Sequence, residues 1–107
     1  LPKVVSICSE EVREAIEPIV TQIEETIRST IERTPPELVR DIVDQGIVLS
    51  GGTANLRGLN IRFADALNVP IHIAEQPVYS VALGLGKILE MPQDKNRLSI
   101  TVEKQGV

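Results

Sequence analysis

Apolar residues fall into two kinds of run along this chain. At Val12, Ile16, Ile19, Val20, Ile23, Ile27 and Ile31 they recur every three or four positions, which places them on one stripe of an α-helix. At 47–49 and 69–73 they form short blocks rich in β-branched residues, which suit strands, and the first block is flanked by glycines as in a strand buried on both faces of a parallel or mixed sheet.

Punctuation between the runs sets the expected boundaries. Residues 4–8 are β-branched or small and precede Ser9-Glu10-Glu11, so a short strand should feed a helix N-capped by Ser9, with two carboxylates at the positive end of its dipole. Pro18 should break that helix near Glu17 into a short piece and a longer one reaching about Arg33. Thr34-Pro35-Pro36-Glu37 combines a capping box with proline at a helix start, and Gly46 should close the helix 35–45.

After the strand 47–49 comes a glycine turn, then a helix carrying Leu56, Leu59, Ile61, Phe63, Ala64 and Leu67, a strand over 69–73, and a helix over 78–89. Ser80, Gly84 and Gly86 on that last helix suggest close packing against a sheet. The expected order is β-α-α-α-β-α-β-α, an α/β fold in one domain over 1–90, followed by a polar tail, 91–107, with one edge strand at 98–102. Leu1 is not methionine and sits at the start of a strand-like stretch, as expected of a piece of a longer protein.

Composition narrows the function classes. Phe63 and Tyr79 are the only aromatic residues and the net charge is −4, so neither base stacking nor a basic groove is on offer and nucleic acid is not an expected partner. One cysteine, Cys8, and one histidine, His72, exclude an internal disulfide and a Cys/His zinc site, and make a reducing cytoplasm the default compartment. No apolar run approaches the roughly 20 residues of a membrane-spanning helix.

The segment with most chemical content is 46–60: a buried strand, a tight glycine turn and a helix. In open α/β sheets ligands bind beyond the carboxyl ends of strands, where this turn lies. Gly51 and Gly52 remove side-chain bulk and permit positive φ, so backbone could approach a flat base or sugar, with N–H groups nearby for a phosphate. The plainer alternative is a chain reversal with Thr53 capping the next helix. Asp44-Gln45-Gly46 reads as a helix C-cap rather than a phosphate loop, and His72 has no nucleophile partner in a recognisable motif.

Ser50-Gly51-Gly52-Thr53 with Gly58 beyond it resembles the adenosine motif of the actin superfamily. The blocks TPPEL at 34–38, GIVLSGG at 46–52, LRGL at 56–59, VPIHIAE at 69–75 and VALGLGK at 81–87 resemble, in order and spacing, the MreB family of bacterial actins. The likeness covers residues 1–90. It departs from the family pattern at Thr53-Ala54-Asn55, where a third glycine is usual, and in the tail.

The resemblance implies a partial actin-like, ribonuclease-H-like ATPase subdomain. It implies that Gly51 and Gly52 line the adenine and α-phosphate side of a cleft with Thr53 and Asn55 nearby, that Arg13 flanks the adenine, and that Glu14 hydrogen-bonds the ribose. Read without it, Arg13 and Glu14 belong to a solvated charged helix face. The ligand so implied is ATP, with Mg²⁺ held by phosphate loops outside this chain, so the chain alone should be inactive. The implied whole protein is a filament at the inner face of the cytoplasmic membrane, whose partners are further copies of itself and the proteins of cell shape and wall synthesis; its membrane-contacting segments are not here. Two other readings remain open at this stage: another superfamily ATPase, a chaperone or kinase, or a self-associating interaction module that binds no nucleotide.

Overall fold

The computed structural model describes residues 1–91. Its elements are α1 (Ser9–Glu32), α2 (Pro36–Gln45), β1 (Ile47–Leu49), a 3-10 turn (Gly52–Asn55), α3 (Leu59–Leu67), β2 (Ile71–Ile73), a second 3-10 turn (Pro77–Tyr79) and α4 (Ser80–Glu90). The expected edge strand at 98–102 lies outside the described residues. The described residues divide into two compact units, one of residues 1–47 and 61–70, the other of residues 48–60 and 71–91.

In the first unit the helical stripe is real but its ends differ from expectation. Residues 4–8 form no strand: Val4 is 95% exposed. A strand exists only when a neighbouring strand takes its backbone groups, and among the described residues none lies beside this segment. Cys8, not Ser9, is the N-cap of α1, and its N–H donates to the Glu11 carboxylate at 3.3 Å.

Pro18 does not divide the helix, which runs unbroken for 24 residues. Proline removes the bond to the carbonyl of Glu14, but Pro18 is on the exposed side, where water can serve that carbonyl. Of the stripe, Val20 is buried and Ile16, Ile27 and Ile31 half-buried, while Val12, Ile19 and Ile23 face out. The interior of this unit is made by Val20, Val69 and above all Phe63, 1% exposed.

The capping box at 34–37 is not formed. The Thr34 hydroxyl instead donates back to the Thr30 carbonyl at 2.7 Å, closing α1, and α2 opens at Pro36 behind Pro35. Gly46 ends α2 as expected, with φ +88° and its N–H donated to the Ile42 carbonyl at 2.8 Å.

β1 and β2 pair in one two-stranded sheet. Ile47 donates its N–H to Pro70 O at 2.8 Å and Ala74 donates to Leu49 O at 2.9 Å, so partners advance in the same direction and the pair is parallel. Burial of β1 on both faces does not hold among the described residues: Val48 is 64% exposed.

In the second unit Ala54, Leu59 and Ile71 are buried. The expected close approach at α4 is absent among the described residues: Gly84 and Gly86 are exposed and a methyl group at either would meet nothing within 4 Å. The observed order thus lacks the first strand and has one helix where two were expected, and the architecture is helices with a small parallel sheet, compatible with part of an actin-like fold. None of these helices is long and apolar enough to cross a membrane.

Candidate functional site

The carboxyl end of β1 delivers the chain into Ser50 and then Gly51, whose φ of +89° and ψ of +166° belong to a region that a side chain makes costly. Its N–H donates to the Pro77 carbonyl at 2.8 Å and its own carbonyl accepts from Ala54 at 3.2 Å. The turn is thereby tied at both ends by backbone groups. Ala54, 3% exposed, is the apolar anchor that seats it. Gly51, Gly52, Thr53 and Asn55 remain exposed around that anchor, on one short arc.

The two glycines are present for different reasons. Gly51 is required by its backbone angle, and a Cβ there would meet nothing within 4 Å. Gly52 lies outside the left-handed region, and a Cβ on it would touch only Val78 Cγ2 at 4.0 Å, an ordinary contact. Neither strain nor crowding among the described residues demands glycine at 52. Gly58, with φ +83°, turns the chain into α3 at Leu59, so Thr53, inside the 3-10 turn, does not cap that helix.

Arg13 and Glu14 stand on the exposed surface of α1 in the first unit; Gly51, Gly52, Thr53 and Asn55 belong to the second. Within α1, Arg13 makes no ion pair with a described residue, although it lies close enough to Glu10 and Glu17 to help hold both carboxyls below the usual carboxylate range. The main cause for Glu10 is its own backbone hydrogen bond at the helix start, and for Glu17 the hydrogen bond from Arg62.

Arg62 was not singled out by sequence. It projects from α3 across α1, donating from Nη1 to Glu17 Oε2 at 2.6 Å, from Nη2 to Thr21 Oγ1 at 3.1 Å and from Nε to Glu24 Oε2 at 3.4 Å. Arg28 extends the cluster, reaching Glu24 at 3.4 Å and the Ala66 carbonyl at 2.9 Å. Spacing on α1 places residues 17, 21 and 24 on one face, but nothing local says that Arg62, 45 positions from Glu17, completes it.

A separate shallow depression of about 560 Å³ in the second unit is lined by Glu75, Gln76, Ala82, Leu83, Gly86, Lys87 and Glu90. None of the expected site residues borders it. His72 is exposed on β2.

A parallel strand pair whose first member ends in a glycine turn and returns through a helix is the α/β arrangement in which such turns meet ligands. The family model described as MreB/Mbl protein matches residues 1–97. The chain is 44% identical over 90 residues to the cell shape-determining protein Mbl of Bacillus cereus, an overlap covering 84% of this chain and 27% of that protein. It is 42% identical over 90 residues to Mbl of Bacillus subtilis, with the same coverages of 84% and 27%. To the cell shape-determining protein MreB of Escherichia coli it is 38% identical over 91 residues, covering 85% of this chain and 26% of that protein. The chain belongs to the MreB/Mbl family, and it spans about a quarter of the length of these relatives.

Proposed function

We propose that this chain supplies the adenosine-facing wall of an ATP site in an actin-like, cell shape-determining protein. The observation that carries the reading is Gly52. Its backbone needs no glycine and, among the described residues, a methyl group would meet only Val78 at 4.0 Å, so a glycine there leaves room for something else to come to within contact distance. A purine or ribose face fits that description, and the donors Thr53 and Asn55 beside it suit the polar edges of a nucleoside. Arg13 and Glu14 are assigned to adenine and ribose, the guanidinium plane lying over the base. Mg²⁺ and hydrolysis are assigned to residues outside this chain, whose own part is binding. In this reading the whole protein assembles with copies of itself in the cytoplasm at the inner face of the membrane and works with the cell-shape and wall-synthesis proteins.

The test is Gly52→Ala, titrated with ATP. The fold should tolerate it, and ATP affinity should fall by about tenfold, equivalent to about 1.4 kcal/mol. Unchanged affinity would remove the assignment.

A second reading, a self-associating surface, is favoured by α4, where Val81 is 76% and Leu89 68% exposed. It is compatible with the first, since a filament subunit needs both. Sedimentation velocity that is independent of concentration would count against it.

A further inference from the structure

The arrangement around Arg62 bears on the helix that carries Arg13. On a helix, Arg13 has two carboxylates within reach of one turn: Glu10, three residues before it, and Glu17, four after it. Left alone, either would take the guanidinium and draw it flat along α1. Both are engaged elsewhere. Glu10 accepts from the Ser9 hydroxyl at 3.3 Å and lies at the positive end of the helix, while Glu17 is held by Arg62 at 2.6 Å. Arg13 makes no ion pair with a described residue.

We infer that Arg62 is a positioning residue for nucleotide binding: by bonding Glu17 it weakens the pull of that carboxylate on the Arg13 guanidinium and leaves Arg13 more available to an aromatic base. The inference rests on the assignment of Arg13 to adenine. Arg62 itself is not placed at the ligand; it acts through Glu17. Its further bonds to Thr21 and Glu24 fix the guanidinium fork across one face of α1, which keeps the capture of Glu17 from depending on a single flexible contact. A pair four apart in the order Arg then Glu is the weaker orientation on a helix, so its release should change binding modestly, by about twofold.

The experiment is an ATP titration of the 107-residue chain followed by NMR, reading backbone amides and the Arg13 Nε–Hε resonance. Four proteins are compared: the unaltered chain, Arg62→Ala, Arg62→Ala with Glu17→Gln, and Arg62→Ala with Glu24→Gln. Without ligand, Arg62→Ala should shift the Arg13 Nε–Hε signal as Glu17 turns to it. Its ATP affinity should fall about twofold. Glu17→Gln should restore both signal and affinity, whereas Glu24→Gln, which restores the same net charge but leaves Glu17 available, should restore neither. A residue that merely joined α3 to α1 would not be rescued by removing Glu17, and that result would overturn the inference while leaving the adenosine assignment intact. If the unaltered chain binds ATP without perturbing Arg13, both fall together.

Discussion

The two compact units are held by different means. In the first, a charged cluster reaches between α3 and α1, with Arg62 on Glu17, Thr21 and Glu24 and Arg28 on Glu24 and the Ala66 carbonyl, beside an interior dominated by Phe63. In the second, the glycine turn is fixed by main-chain groups, Gly51 to Pro77 and Ala54 to Gly51, and its exposed arc carries no ion pair among the described residues. A turn tied by its backbone keeps its shape while leaving the surface bare, whereas α1 is tied by side chains at Glu17, Thr21 and Glu24, and Arg13 and Glu14 on it stay without an ion pair among the described residues.

The strongest way to break the comparison is at Phe63. Phe63→Ala empties the most buried position of the first unit and should cost about 3–5 kcal/mol, read as a lower urea midpoint. A change under about 1 kcal/mol would mean that the charged cluster, rather than the interior, holds this unit.

The next largest contrast lies within the turn. Gly51→Ala should destabilise by about 1–3 kcal/mol because of its backbone angles, while Gly52→Ala should be neutral or stabilising by up to about 1 kcal/mol and lose ATP affinity instead. Thermal unfolding of both variants separates them, and equal destabilisation would contradict the distinction.

Acid should reach the first unit through Glu17. The carboxyl of Glu17 is held low by the Arg62 hydrogen bond first and by charge second, so its folded form binds a proton less readily than the unfolded chain does. Its contribution is therefore complete above the ordinary glutamate range and is lost as pH falls through and below that range. Glu17→Gln should flatten stability over that window in a urea series, whereas an unchanged slope would show that the ion pair, half exposed at Glu17, contributes nothing measurable.

The smallest effect is expected at the edge of α1. Cys8→Ser places a preferred N-cap residue where Cys8 now stands and should change stability by only a few tenths of a kcal/mol, with ATP binding unaltered. A larger change by the same unfolding measurement would mean that the thiol does more than begin a helix.

Much of this pattern was readable from sequence, and the division again follows the physics. The helical stripe, the Gly46 cap and the glycine turn depend on neighbours in sequence, so residue type and spacing suffice, whereas the strand 47–49 forms because β2 pairs with it. At Pro18 residue type alone gives the penalty of a lost bond, whereas its size depends on the exposed position that Pro18 takes on α1. The Thr34 hydroxyl has two backbone groups within reach, and the carbonyl of Thr30 takes it. Residues 4–8 have the composition of a strand, but a strand is a property of a pair. Arg62 could not be found at all, since its partners lie as far as 45 positions away and their chemistry is that of any exposed charged face.

In the proposed function adenosine meets the arc of Gly51, Gly52, Thr53 and Asn55, while Arg13 and Glu14 on α1 are assigned to its base and ribose. A proton–nitrogen NMR titration of the chain with ATP, paralleled by GTP at the same millimolar concentrations, tests it most directly. Shifts that saturate with ATP at those six residues, and are weaker with GTP, are expected. Saturation with no shift at Gly51 or Gly52, or with shifts confined to the depression around Glu75 and Lys87, would contradict it.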